Sequence, residues 1–283
     1  MPTCTGLERR ASLGRPNSRC TSRKWTGDRA STASMVAIAL LTAASGTAIS
    51  KQGSDVHLKG YDIAPTGLKP KYPAGYRCSP LTSLYASWID VDGSRRSEPH
   101  SGVDGGRLGD SILAPGPGVV RAVWRADWGW GSEGALLIRH SPRELNLNTT
   151  ARYFYSEFDH LRYSDLTGTR VGQRITRGRK LARVFRPGGK PKYLPEVHWE
   201  VWEISGNDKL RWAKNHRGGP YWINETARLI DPLYMLRRQS APSADGVVLL
   251  MPYEPEADYS HFRGFTYILP CGRNHQQHAQ EPG

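Results

Sequence analysis

The sequence predicts a mainly β protein built on an antiparallel β-sheet domain, with few short helices. Three observations predict it. From about residue 80 the chain breaks into short apolar runs separated by Gly- and Pro-rich turns, the texture of strands. Its nine Trp and thirteen Tyr suit a pleated, half-buried surface. The stretch "VHWEVWEIS" (197–205) alternates cleanly: Val197, Trp199 and Val201 share one face, His198, Glu200 and Trp202 the other.

With 283 residues, 38% of them apolar, the chain can form one or two domains around a sizeable core. The formal net charge is +13, of which residues 1–34 carry +5 and the remainder +8. A basic surface favours anionic partners. Basic clusters interleaved with aromatics, which would stack on bases, are missing, and this argues against nucleic acid. The apolar run "MVAIALLTAA" (35–44) is shorter than the roughly 20 residues a membrane span needs. It follows a basic segment and precedes the small residues of "SGTAIS", with cleavage placed after Gly46 or Ala48. That is the anatomy of an export signal, and an uncleaved membrane anchor is the alternative. Residues 1–48 are therefore a basic segment plus signal or anchor. Residues 49–78, rich in Gly, Pro and Lys, form a linker or lead-in.

The folded region runs from 79 to 238. "SILAPGPGVVRAVWRADW" (111–128) predicts a strand, a turn and a second strand; "GALLIRH" (134–140) and the aromatic "ARYFYSEFDHL" (151–161) predict two more. Residues 168–185 are Gly-punctuated and partly alternating. "IDPLYMLRRQ" (230–239) is the best helix candidate, with Asp231 as N-cap and Pro232 in the first turn. The C-terminal extension, 239–283, holds two candidate strands, "GVVLLMPY" and "GFTYILP". Its end, "GRNHQQHAQEPG", has the composition of a disordered tail. After loss of the N-terminal segment only Cys78 and Cys271 remain. Two cysteines in an exported chain suggest a disulfide; two buried thiols are the alternative.

Candidate site residues start in "EPHSGVDGG" (98–106). Pro99, Gly102, Gly105 and Gly106 argue against a helix and for a strand end or tight loop around His100 and Asp104. Such a loop can aim both side chains at one metal ion, or Asp104 can simply bond local backbone. His198 lies across from the apolar face of its strand, where it either faces a groove or is an ordinary satisfied histidine. Together His100, Asp104 and His198 make a His/Asp/His set suited to Zn²⁺ with a fourth position open. His160 follows the aromatic strand, and a group near such a water can act as base or oxyanion stabiliser. His140 ends a strand and either supports structure or lines the groove. Within "WAKNHRGGPYW" (212–222), placed as an insertion at the groove rim, Trp222 either stacks on a glycan or belongs to the core.

These motifs resemble the LytM/lysostaphin-type zinc metallopeptidases, the M23 family, which cut peptide bonds in bacterial peptidoglycan. "HSGVD" (100–104) matches the family's His-x-x-x-Asp motif. Ile112, Ala114, Gly118 and Val120 match the hairpin after it. "LLIRH" (136–140) and "FDHL" (158–161) approximate the next two motifs; Gly172, Gln173, Ile175 and Gly178 match a Gly-rich stretch, and "IDPLYML" the closing one. The resemblance covers roughly residues 80–236. It implies a groove holding Zn²⁺ on His100, Asp104 and His198, with His160 catalytic. One position departs: where the family has the first His of His-x-His, "EVHWE" carries Glu196. Glu196 precedes His198 by two residues, so on a continuous strand both point to one face. The implied function is a zinc endopeptidase acting on peptidoglycan, exported to the periplasm, cell envelope or exterior, with Glu196 as general base. A degenerate domain that binds wall material or activates another hydrolase is the first alternative, and a zinc peptidase acting on a protein the second.

Overall fold

The computed structural model describes residues 62–128, 133–186, 194–215, 217–237 and 244–273. The basic segment, the apolar run at 35–44 and residues 274–283 lie outside the described residues. The chain forms β1 (Lys69–Lys71), β2 (Tyr76–Cys78), β3 (Leu81–Ser83), β4 (Val103–Gly105), β5 (Ser111–Leu113) and β6 (Gly118–Ala126). There follow the long strands β7 (Glu133–His140) and β8 (Tyr153–Arg162), then β9 (Arg174–Ile175), β10 (Lys180–Arg183) and β11 (Val197–Ile204). The last strands are β12 (Arg211–Lys214), β13 (Pro220–Ile223), β14 (Ala227–Ile230), β15 (Val247–Leu249) and β16 (Cys271–Arg273). One helix, α1 (Pro232–Leu236), starts where the sequence placed it: the Asp231 carboxylate accepts from the Leu233 N–H at 2.9 Å, with proline in the first turn.

The main sheet has eight strands in the order β3-β4-β11-β8-β7-β6-β9, with β14 added to β11. All its pairings are antiparallel, so the fold class expected from the sequence holds. Strand β11 lies at its centre. One edge pairs along its length with β8, and the other is shared by β4 and β14.

The alternation of β11 divides the molecule. Val197, Trp199 and Val201 face a large core with Phe154, Phe158, Leu136 and Ile138 from the neighbouring strands. Trp199 has no exposed surface, lies nearly parallel to Phe158 at 6.3 Å and meets Phe265 at 6.1 Å. Truncating a side chain packed this way typically costs about 3–5 kcal/mol. On the opposite face Trp202 and Ile204 pack with Tyr155, Leu137, Trp124 and Trp222 in a second, smaller core.

Both ends of the described chain join these cores. Val248, Leu250, Phe265, Tyr267, Ile268 and Leu269 are part of the larger one, with Leu68, Tyr72 and Tyr76 of the lead-in packed against it. "GVVLLMPY" forms β15, paired in parallel with β1. "GFTYILP" forms no strand, contrary to expectation. It is buried but irregular, and its backbone bonds scattered partners, among them Thr266 N–H to Pro115, Tyr267 N–H to Met251, and the Ile268 carbonyl from the Leu113 N–H. A β-like composition reports burial here, and burial can be met without a ladder.

Strand β16 pairs with β2, and this register sets Cys271 opposite Cys78. The two form a disulfide with Cα atoms 3.9 Å apart, closer than the usual 4.4–6.8 Å. It closes a loop with a sequence separation of 193, so the chain-entropy model assigns it about 5 kcal/mol. Replacing Cys271 by Ser should lower the unfolding free energy in denaturant by about 2–5 kcal/mol and expose one thiol to titration under non-reducing conditions. Unchanged stability, or reactive thiols at Cys78 and Cys271 in the parent protein, would show that the bond does not form.

Candidate metal centre

Two strands, β4 and β11, and the loop before β4 bring the candidate ligands together. In the β4–β11 register Asp104 lies opposite His198, so both side chains leave the sheet on the face away from Trp199. His100 precedes β4 and is held by two backbone bonds, its N–H to the Ser87 carbonyl at 3.0 Å and its carbonyl from the Ala86 N–H at 2.8 Å. Between them the chain passes against β11 at Gly102. A Cβ there would lie 2.3 Å from the Trp199 carbonyl oxygen and 3.0 Å from the His198 ring. The glycine of "HSGVD" is thus required by close approach of two backbones.

The donor atoms converge. His100 Nε2 lies 3.1 Å from Asp104 Oδ1 and 3.0 Å from His198 Nδ1, and His198 Nδ1 lies 2.8 Å from Asp104 Oδ1. All three residues are buried, at 4%, 3% and 8% exposure. The outer ring nitrogens are engaged elsewhere. His100 Nδ1 donates to the Leu84 carbonyl (3.0 Å), and His198 Nε2 donates to Glu200 Oε1 (3.1 Å). This network assigns the tautomers so that both inner nitrogens offer lone pairs to the same point as the carboxylate. Arg96 holds the other Asp104 oxygen at 3.1 Å.

Three acceptors this close repel one another unless positive charge lies among them. The electrostatics express that demand. Burial alone would raise the Asp104 carboxyl, but protonated His100 and His198 rings beside it would outweigh that and hold the group well below the ordinary carboxylate range. Burial lowers His100. Burial also disfavours charge on His198, yet Asp104 and Glu200 outweigh it and raise that ring well above its ordinary value. The donor set of two imidazoles and a carboxylate fits a divalent cation such as zinc.

His160 borders this cluster, its ring centroid 6.1 Å from that of His198. It sits at a bulge: Gly134 pairs with Leu161 and Leu136 with Phe158, so Asp159 and His160 together oppose Ala135. His160 adopts a positive φ of 56°. Under strict alternation it would share the core face of Phe158. The extra residue returns Leu161 to that core and turns His160 toward the site. Its Nδ1 donates to the fully buried Glu133 at 2.9 Å.

Glu196 lies just before β11, in an isolated bridge with Phe185. It is not among the donors that converge. Burial, then the charge of Asp104, push its carboxyl up to about 7 against the opposing His160 and His198. Its Oε2 is buried without a hydrogen-bond partner among the described residues.

Two expected groove residues are elsewhere. His140 is fully buried on the core side, where Nδ1 meets the Pro117 carbonyl at 2.8 Å and Nε2 the Ser156 hydroxyl at 3.1 Å. It supports structure and lines no groove. Trp222 is 2% exposed. Its indole N–H donates to Glu157 at 2.8 Å and its ring packs on Trp202 and Tyr155, so it is core and offers no face to a glycan. The residues around it form the β12–β13 hairpin; His216 lies outside the described residues. Nothing in the order of residues points to Glu133, Arg96 or the Leu84 carbonyl as supports. Glu200 is legible there, since even spacing puts it on the His198 face.

No protein-family model and no curated protein matches the sequence. Solved structures with similar backbones include a zinc-containing peptidase from Vibrio cholerae, 22% identical with a TM-score of 0.33, covering 56% of this chain and 37% of that one. The catalytic domain of the antimicrobial peptidase lysostaphin from Staphylococcus simulans is 17% identical with a TM-score of 0.31, covering 56% of this chain and 90% of that one. A mutant catalytic domain of EnpA, a prophage-encoded M23 protein from Enterococcus faecalis, is 17% identical with a TM-score of 0.29, covering 50% and 88%. The chain thus spans little more than a third of the Vibrio cholerae peptidase. At these TM-scores the likeness by itself assigns no activity.

The pH dependence of stability follows from His140. Burial pushes its pKa down to about 4, against about 6.5 in the unfolded chain. Between these values the unfolded chain takes up a proton that the folded protein refuses. Its contribution is therefore complete above about pH 6.5 and is lost as pH falls toward 4. Denaturant unfolding in the presence of a chelator should show a loss of about 2 kcal/mol between about pH 7 and pH 4.5 that is missing from His140→Gln. An equal acid loss in both proteins would contradict the assignment.

Proposed function

We propose that the chain is an exported zinc endopeptidase that hydrolyses peptide bonds in bacterial peptidoglycan. The observation that carries this is the convergence of His100 Nε2, Asp104 Oδ1 and His198 Nδ1 to within 3.1 Å of one another, each ring oriented from behind. These three residues would hold the metal. A zinc ion bound there supplies a water of lowered pKa and polarises a carbonyl. Peptidoglycan as substrate rests on the resemblance of the motifs to the LytM/lysostaphin type, and the basic surface suits an anionic wall. Export to the periplasm, envelope or exterior is supported by the disulfide, which persists in oxidising compartments. Anchoring in a membrane by the 35–44 run is part of the same proposal.

The remaining roles belong to the chain's own groups. Glu196 is the general base: it lies within electrostatic reach of Asp104 without joining the three donors, and a buried carboxylate there can take the proton of the attacking water. It is not among the three residues that would hold the metal. His160, oriented by Glu133 and bordering the cluster, would stabilise the oxyanion as it develops. Proton transfer from Glu196 to the leaving amine completes the cleavage.

The departure at Glu196 favours one rival, a domain that binds wall material without cutting it. Zinc content and release of free amines from purified peptidoglycan separate the two. Glu196→Gln should keep its zinc and lose roughly 10²–10⁴-fold in rate. Higher activity in Glu196→Ala or Glu196→His would instead identify Glu196 as a blocking ligand. Zinc bound by the parent protein with no amine released would establish the non-catalytic rival.

A further inference from the structure

The segment before His100 folds as a short hairpin, 87–96. Ile89 bridges Arg95, the Asp90 N–H donates to the Ser94 carbonyl at 2.8 Å, and the Arg96 N–H donates to the Trp88 carbonyl at 2.9 Å. The hairpin separates two neighbouring arginines. Arg95 lies over the Trp88 ring at 5.6 Å. Arg96 reaches inward, with its side chain 19% exposed. Its Nη2 lies 2.9 Å from Asp90 Oδ1, 3.1 Å from Asp104 Oδ2 and 3.3 Å from Ser83 Oγ. Ser83 lies opposite Asp104 in the β3–β4 register, and its hydroxyl is 3.2 Å from His100 Nδ1. Arg96 therefore bears directly on one candidate ligand and through one hydroxyl on a second.

A carboxylate free to rotate offers a cation either oxygen or both. Here Arg96 occupies Oδ2 of Asp104, and Oδ1 alone lies among the ring nitrogens. A ligand already held in its binding rotamer loses little freedom when the ion arrives. A guanidinium this close would also repel a divalent cation. Asp90 decides between the two effects. It is fixed by the turn itself, its Oδ1 accepting the Val91 N–H at 2.7 Å and its carbonyl the Gly93 N–H at 3.0 Å. Paired with Arg96, it leaves Asp90, Arg96 and Asp104 together with one net negative charge, the same as Asp104 alone. The orientation is kept and the repulsion is offset.

We propose that Arg96 is a positioning residue for the metal centre and that Asp90 acts through it, so that the 87–96 hairpin sets part of the affinity for zinc. This deepens the peptidase reading. It rests on the metal-binding part of that reading and not on hydrolysis.

The test measures zinc affinity on the full chain by competition with a chromophoric chelator. Arg96→Ala should weaken binding about 10–100-fold. Arg95→Ala removes the same charge from the same hairpin and should leave the affinity unchanged. Asp90→Asn should weaken binding about threefold, the size of one partly exposed charged hydrogen bond. The double variant Asp90→Asn/Arg96→Ala should lose no more than Arg96→Ala alone, because Asp90 acts only through the guanidinium. Undiminished affinity in Arg96→Ala, equal losses from Arg95→Ala and Arg96→Ala, or additive losses in the double variant would overturn the role. If Arg96→Ala fails to fold, Asp90→Asn carries the test, since it alters a partly exposed side chain and leaves Arg96 on Asp104; unchanged affinity there overturns the role as well. A parent protein that binds no zinc would remove the metal centre and this role with it. Zinc bound as expected, with no hydrolysis of peptidoglycan, would remove the peptidase and leave the role of Arg96 standing.

Discussion

The register of β11 is the constraint on which the rest of this structure depends. One edge pairs with β8 and the other with β4, and these pairings set His198 opposite both Asp159 and Asp104. The side-chain period of a strand is two, so a slip of one residue would exchange Trp199 and His198 between the faces. It would put a buried indole in the groove and an imidazole in the core. The stacking of Trp199 on Phe158 and its contact with Phe265 therefore do two things at once. They stabilise the fold, and they forbid the slip that would dismantle the site. Gly102 adds a second lock, because only a residue without a Cβ lets the His100–Asp104 segment lie against that strand.

The face carrying the site is unusually rich in buried carboxylates. Glu133, Glu157, Glu200, Asp104 and Asp159 are all at most 7% exposed. Taking charges out of water is costly, and the cost is tolerated only where partners are close and well aligned. Here the partners are imidazoles and indoles: His160 for Glu133, His198 and Trp202 for Glu200, the Trp202 and Trp222 indoles for Glu157. The second core is thus a polar frame with aromatic filling. It holds rings in fixed orientations, which an oil-like core would not do.

Two local irregularities mark the places where function and regular structure disagree. The bulge at Asp159 and His160 costs β8 a regular ladder and puts a non-glycine residue at positive φ. In return the imidazole reaches the groove while Leu161 stays in the core. Glu196, at the end of a strand and held by a single bridge, keeps a buried carboxyl oxygen without a hydrogen bond among the described residues. Both lie within electrostatic reach of His198.

Periodicity and composition alone determined the β class, the two faces of the 197–205 strand and the N-cap of the 231–236 helix; the choice of His100, Asp104 and His198 as one set came with the resemblance of the motifs. These features are local or follow from strict alternation, so the order of residues encodes them directly. Tertiary structure decided the rest. His140 and Trp222 look the same in sequence whether they line a groove or fill a core; burial depends on which strands pack above them, and that is a non-local fact. The turn of His160 toward the site depends on a bulge that no alternation rule signals. Glu133 supports it from the paired strand β7, a contact set by strand register and not by order in the chain. The cysteine pair stayed open in the sequence for the same reason: residues separated by 193 positions meet only when β16 finds β2.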